Sequence, residues 1–267
     1  MSIKLVAIDL DDTLLDPKLK VSEKCTTAIK ELQQREILVT LATGRMYRSA
    51  LPYAEDLQMD IPLITYQGAL VKNSRSRETL YYQPVPGDLG TEAMQYFAAA
   101  GVHYQSYFGD QLCMGSLTEE GRFYSELAGI EPVIIEDMIA FSGLNESLKI
   151  LAVSFNEELI LKMEKDLKST YGSKLNITRS KPYFLEIMNC SANKGIALKV
   201  VADHYNIAQE EVLAVGDSYN DLDMIKWAGI GVAMGNAPDA VKAAADYITL
   251  SNEEEGVAEA LCQFVIK

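Results

Sequence analysis

Two carboxylates two residues apart, Asp9 and Asp11, end the apolar run that opens the chain in IKLVAIDLDDTLLD. Alternate residues of an extended chain face one side, so the pair shares a face. Two adjacent carboxylates repel each other and ionise together only against a counter-charge. Oxygen ligands without His or Cys partners select a hard divalent cation, Mg²⁺ above all. A second acidic cluster, GDSYNDLDM, follows another apolar run and carries Asp217, Asn220 and Asp221. Taken alone it is an ordinary helix start rich in Asp and Asn; taken with Asp9 and Asp11 it forms a carboxylate cage at one sheet edge. LATGR ends a further apolar run with Thr43, Gly44 and Arg45. A hydroxyl and a glycine N–H there suit a phosphate at a helix N-terminus. Lys194, in SANKG, sits near a helix start against the helix dipole, which points to an anion as its partner.

Short, continuously apolar runs alternating with amphipathic segments must hold these groups. Strands are expected at residues 4–8, 37–43, 62–66, 212–216, 230–234 and 247–250, with helices at 22–35, 45–57, 196–205, 221–228, 238–245 and 253–266. Near-continuous apolar strands separated by helices indicate a parallel sheet covered on both faces. Ligands of such sheets bind at the carboxyl ends of the strands, where these motifs fall. The texture changes in the middle of the chain. Residues 81–90, with two prolines and two glycines, read as a linker. Beyond it come two helices, at 91–100 and 157–171, and hairpin-like strands at 102–108, 148–155 and on either side of Lys181–Pro182. The fold class is therefore α/β, a Rossmann-like parallel core from residues 1–83 and 190–267 with an inserted α+β domain at 84–189.

Composition narrows the function classes. The chain has 267 residues, 48% hydrophobic, with a net charge of −14, a field that repels nucleic acid and anionic membrane. No apolar run approaches the roughly 18 residues of a membrane span, and Asp9 interrupts the first apolar segment too early for a signal peptide, so a cytoplasmic location is expected. The four cysteines form no CxxC pair and the two histidines, His103 and His204, share no motif. Zinc sites, disulfide frameworks and histidine triads are thereby disfavoured. Trp227 is expected at a core edge and His204 on a helix surface.

The four motifs in this order, DxDxT, a strand ending in Thr, a Lys, then GDxxND, resemble the haloacid dehalogenase (HAD) superfamily. AIDLDDTLL, TLATGR, TYQGALV, PYFLEIM, NKG, AVGDSYNDLDMI, AGIGVAMGNA and GVAEAL together resemble its Cof-type phosphatases, which carry a large type IIB-like α/β cap between the second and third motifs. The resemblance implies a Mg²⁺-dependent phosphatase of small phosphorylated metabolites, sugar phosphates or similar monoesters. Asp9 would be the nucleophile and Asp11 the acid/base. Asp9, the Asp11 carbonyl and Asp217, supported by Asp221, would hold Mg²⁺. Leu10, Thr43, Gly44, Lys194 and Asn220 would bind the phosphoryl group. Arg45, and from the cap Arg179, Lys181 and Tyr183, are candidate substrate contacts. Two positions depart from the family pattern: Asp12 replaces a usual Gly, and Gln67 a usual Asn. Asp12 is expected in a turn conformation with its carboxylate directed away from the metal. A phosphomutase or phosphotransferase of the same superfamily, and a non-catalytic binding protein on the same scaffold, are the alternatives. The Asp-x-Asp-Asp-Thr signature of isoprenoid cyclases is excluded by the α/β alternation and an aromatic content of 8%, since that chemistry needs a large aromatic-lined helical cavity.

Overall fold

The apolar runs that flank the acidic motifs are buried on both faces, which is what fixes them as strands of a covered sheet. The computed structural model describes residues 2–266. The chain up to Tyr82 contributes β1 (Leu5–Ile8), α1 (Glu23–Gln34), β2 (Leu38–Leu41), α2 (Tyr47–Asp56), β3 (Pro62–Thr65), β4 (Leu70–Asn73) and β5 (Thr79–Tyr82). Every residue of β1 and β3 is buried. Ser22 caps α1 by accepting from the Cys25 N–H, and the helix turns Cys25, Ala28, Ile29 and Leu32 inward at helical spacing.

Residues Gln83–Ala192 form a second compact unit. It holds α3 (Gly87–Ala99), β6 (His103–Phe108), β7 (Gln111–Met114), α4 (Glu119–Ala128), β8 (Val133–Ile134), α5 (Met138–Ser142), β9 (Ser147–Val153), α6 (Glu157–Tyr171), β10 (Leu175–Lys181) and β11 (Phe184–Asn189). Its six strands run β10-β11-β9-β6-β7-β8, antiparallel except for the β7–β8 pair. Phe97, Ile150, Ile160, Met163, Leu185 and Ile187 form much of its core, where α3 and α6 meet one face of the sheet.

The chain then returns to the first unit with α7 (Lys194–His204), β12 (Val212–Gly216), α8 (Leu222–Trp227), β13 (Ile230–Ala233), α9 (Asp239–Lys242), β14 (Tyr247–Ile248) and α10 (Gly256–Leu261). Five parallel strands in the order β14-β13-β12-β1-β2 make the core sheet. An isolated parallel bridge, Ala42 to Ile64, brings the end of β3 beside β2, and β3, β4 and β5 continue as an antiparallel meander. Register decides where the motifs meet. Ile8 lies opposite both Val215 and Leu41, so the residues following β1, β12 and β2 emerge side by side at one sheet edge.

Several expected boundaries change. The segment read as a linker at 81–90 ends β5 and opens α3 four residues earlier than expected, with Pro86 as N-cap and Asp88 in the first turn. The inserted unit carries four helices, not two. α4 buries only Gly121 and α5 is five residues long; side chains of Thr118 and Asp137 cap them. The single helix expected at 253–266 is broken. Glu255 takes a left-handed φ of 66° before α10, and a wider turn, Cys262–Ile266, follows. His204 is exposed and Trp227 half-buried. Cys25 and Cys113 are buried packing residues, whereas Cys190 and Cys262 are exposed; all four are free thiols.

Candidate active site

Asp9 is the first residue past β1, buried, with its N–H donating to the Val215 carbonyl at 3.0 Å. Leu10–Leu14 then form one wide turn, closed by Leu14 N–H to Asp9 O and Leu15 N–H to Leu10 O. Within it Asp12 adopts φ 58°, the left-handed region that Gly would enter freely and that Asp tolerates better than most residues. The Asn236 amide holds the Asp12 carbonyl at 2.8 Å, and the Asp12 side chain is exposed. The turn lets Thr13 fold back, so that its hydroxyl donates to Asp217 Oδ1 at 2.8 Å across 204 residues of sequence.

Lys194 is the centre of the site. Its side chain is wholly buried, and Nζ lies 2.6 Å from both Asp9 Oδ1 and Asp221 Oδ1. Burial disfavours the ammonium, but Asp221 and Asp9 outweigh it and hold the lysine protonated. Asn193 caps α7 through the Ile196 N–H at 2.7 Å and so aims Lys194 inward from the first turn. Asp221 is saturated. Its Oδ2 accepts the N–H groups of Asp217 and Ser218 at 3.0 and 2.9 Å, which folds the loop after β12 around it. Asp9 is pushed well above the ordinary carboxylate range by burial and by Asp221, with Lys194 opposing. Asp217 is pushed up to about 6, first by burial and then by Asp221, with Asp12 adding to the repulsion and Thr13 working against it.

Oxygens of Asp9, Asp217 and Asp221 lie within 4.8 Å of one another, a group that can hold a metal ion. Carboxylates crowded and buried to the point of resisting ionisation fit a cation better than they fit one another. The Asp11 carboxylate is not in this group. It sits in the fork of Arg45, with Nε to Oδ2 at 2.9 Å and Nη2 to Oδ1 at 2.5 Å. Arg45 is further held by Tyr53, through its hydroxyl at 3.3 Å and over its ring.

Thr43 is buried at the end of β2, with its hydroxyl accepting the Arg45 N–H at 3.1 Å, and Gly44 follows it. Asn220 comes from the loop after β12 and donates to Gln67 Oε1 at 2.9 Å. Asp9, Leu10, Asp11, Thr43, Gly44, Arg45, Lys194, Asp217, Asn220 and Asp221 therefore all belong to the first unit, Lys194 at the start of α7 and the others on segments that follow β1, β2 and β12, whose ends the sheet register brings to one edge. The Arg45 guanidinium is engaged by Asp11. Arg179 is likewise paired. It ion-pairs with Glu164 at 2.7 Å and Glu157 at 3.7 Å on α6, because its position on β10 faces that helix. Lys181 is exposed at the end of β10, and Tyr183 packs edge-on against Phe123 and Phe184. Reading the sequence missed Thr13, Asn193 and Gln67 as members of the site. Thr13 and Asn193 lie inside the quoted motifs, and only their folded partners distinguish them from ordinary turn and cap residues.

The family model for haloacid dehalogenase-like hydrolases matches residues 6–261. The chain belongs to that family. It is therefore a hydrolase, and HAD relatives share both its length and its fold. The 5-amino-6-(5-phospho-D-ribitylamino)uracil phosphatase YcsE of Bacillus subtilis (strain 168) is 33% identical over 100% of this chain and 97% of its own. The crystal structure of a haloacid dehalogenase-like hydrolase from Bacteroides thetaiotaomicron superposes with a TM-score of 0.90 at 33% identity, over 98% of this chain and 99% of that one. A HAD subclass IIB sugar phosphatase has the same fold, with a TM-score of 0.84 at 24% identity over 98% of each chain. No helix among the described residues is long and apolar enough to cross a membrane.

Proposed function

We propose that this HAD hydrolase is a Mg²⁺-dependent, cytoplasmic phosphatase of small phosphorylated metabolites, sugar phosphates or similar phosphomonoesters, acting through an aspartyl-phosphate on Asp9. The observation that carries the reading is the buried Asp9 carboxylate, held by Lys194 at 2.6 Å inside a group of carboxylates able to hold a cation. Asp9, Asp217 and the Asp11 carbonyl, supported by Asp221, would hold Mg²⁺, which when bound neutralises the charge that builds on the phosphoryl oxygens. A carboxylate needs no prior deprotonation to act as nucleophile once its neighbours favour the ionised form. Lys194 fixes Asp9 Oδ1 and leaves Oδ2 to attack phosphorus. The bond from phosphorus to the ester oxygen breaks as the new one forms, and Asp11 supplies the proton to the departing alkoxide. A water then attacks the phosphorus of the acyl phosphate, Asp11 takes its proton, and the Asp9 carboxylate returns with orthophosphate released. Arg45 holds Asp11 in place as the carboxylate, and one Asp11 oxygen must leave that grip to carry the proton in either transfer. Leu10, Thr43, Gly44, Lys194 and Asn220 supply donors around the phosphoryl group.

The inserted unit, residues 84–189, is assigned as the substrate-selecting cap, with Lys181 and Tyr183 at its β10–β11 hairpin as the residues to vary first. Related phosphatases act on a ribitylaminouracil phosphate and on sugar phosphates, which supports a small polar monoester and leaves the choice to the insert. The test is phosphate release from a panel of phosphorylated metabolites and from p-nitrophenyl phosphate. EDTA is expected to abolish turnover and Mg²⁺ to restore it, and Asp9→Asn is expected to reduce it to background with the melting curve intact. Turnover retained by Asp9→Asn refutes the nucleophile assignment. Phosphoryl transfer to an added sugar hydroxyl in place of water would make the enzyme a phosphotransferase.

A further inference from the structure

Three successive residues, Tyr66, Gln67 and Gly68, have φ of 51°, 56° and 95°. A left-handed conformation costs a non-glycine residue roughly 1–2 kcal/mol, so a run of this kind persists only where its surroundings impose it. Here they do. The Tyr66 N–H donates to Arg45 O at 2.9 Å and the Gln67 N–H to Thr43 O at 3.1 Å. A Cβ on Gly68 would collide with the Asn193 carbonyl at the cap of α7. The turn is thus wedged between the loop after β2 and the start of the helix that carries Lys194.

The Gln67 side chain, only 6% exposed, is directed into the site by this turn. Its orientation is fixed by a relay. Ser218 Oγ donates to Asn220 Oδ1, so the Asn220 amide nitrogen faces Gln67 and donates to Oε1 at 2.9 Å. The other end of the Gln67 amide, Nε2, lies against Gly44, where an added Cβ would strike Nε2 and sit 2.9 Å from Cδ. Gly44 therefore makes room for this amide. The one side-chain hydrogen bond of Gln67 found among the described residues is the one its Oε1 accepts, and Nε2 is not sealed from solvent. A nine-tenths buried carboxamide with its acceptor satisfied and its donor unused, held between Gly44 and Asn220, is a donor reserved for a ligand.

We infer that Gln67 is a phosphoryl-binding residue of this enzyme, donating from Nε2 to an oxygen of the bound phosphate ester. The inference rests on the proposed function, which makes Gly44 and Asn220 its neighbours around that group. Glutamine in place of the shorter Asn carries the amide one methylene further across the loop while leaving the acceptor on Asn220. Loss of a hydrogen bond to a charged phosphate weakens affinity roughly 10- to 100-fold.

The test is the affinity for orthophosphate, read by calorimetry in Mg²⁺ and as competitive inhibition of p-nitrophenyl phosphate turnover. Gln67→Glu keeps an acceptor for Asn220 and replaces the donor with an oxygen; Gln67→Met keeps neither. Both are expected to weaken phosphate binding about 10- to 100-fold, with Gln67→Asn closer to the parent. If Gln67→Glu binds phosphate as the parent does while Gln67→Met does not, the residue only positions Asn220 and the inference falls. Parent-like binding by all three variants also overturns it. Failure of the parent itself to bind phosphate or turn over any ester would instead refute the proposed function. Melting curves identify a variant that has lost the fold, and the other two then decide.

Discussion

Asp217→Asn is expected to stabilise the metal-free protein while destroying its activity. In the fold the Asp217 carboxyl is pushed from 3.8 to about 6 by burial and by Asp221. A folded-state pKa above the unfolded one means that the native state binds more protons over this interval. Stability from this group therefore falls as pH rises from about 4 to 6, and the full penalty is present above 6. At 1.36 kcal/mol per pH unit the interval amounts to about 2–3 kcal/mol. Asparagine removes the charge, keeps Oδ1 as acceptor for Thr13 at 2.8 Å, and leaves the Asp217 N–H on Asp221 undisturbed. In EDTA at pH 7.5 the variant should melt roughly 4–12 °C above the parent, at about 2–4 °C per kcal/mol. The gap should close near pH 4.5, where the parent carboxyl is protonated. Added Mg²⁺ should stabilise the parent at pH 7.5 far more than at pH 5, and the variant little at either pH. A variant less stable than the parent in EDTA at pH 7.5, or a gap that ignores pH, would refute the claim that repulsion among these carboxylates is held in reserve for a cation.

Lys194→Met should cost about 3–5 kcal/mol, because it leaves the Asp9 and Asp221 carboxylates buried without their counter-charge; urea titration should show the loss growing as pH rises from 5 to 8. Asp12→Gly should raise the unfolding free energy read by urea titration by up to about 1 kcal/mol through relief of the left-handed φ of 58°. It should also lower the pH at which Asp217 titrates, since Asp12 contributes to the repulsion there; NMR of the Asp217 carboxyl would detect no change if that is wrong. In the inserted unit, Lys149 and Glu186 form a buried pair at 3.1 Å with Glu186 Oε2 lacking a partner among the described residues. Glu186→Leu alone should destabilise by about 3–5 kcal/mol, whereas adding Lys149→Met should recover most of that loss; a double variant no better than the single one would contradict it.

Membership of the site was legible where chemistry and position coincide in sequence. Asp9, Thr43 and Asp217 each follow an apolar strand, and parallel pairing carries all such ends to one edge. The helix that starts at Lys194 could be read from its apolar spacing. What spacing does not encode is which oxygen faces which nitrogen. An arginine after a phosphate-type loop has no visible partner in sequence; that of Arg45, Asp11, lies 34 residues away. The pairing of Arg179 is hidden for a simpler reason. Hairpin residues alternate faces, and a bulge between Arg179 and Lys181 leaves the alternation unreadable until the pairing is known. Helix α4 buries only Gly121, and α5, at five residues, is too short for a helical period to be read.

The sequence by itself determined the alternation of strands and helices, the insertion between the second and third motifs, and the identity of the acidic groups, because these follow from local periodicity and from side-chain chemistry. Asp12 belongs here too: a position beside two functional carboxylates and normally filled by Gly had to adopt a turn, and it takes φ 58°. Only the tertiary structure decided that Lys194 neutralises Asp9 and Asp221 together, that Arg45 grips Asp11, and that Gln67 reaches Asn220 with a donor to spare. These pairings span up to 185 residues of chain. They are set by sheet register and by buried charge seeking its complement, neither of which is written in any local stretch of sequence.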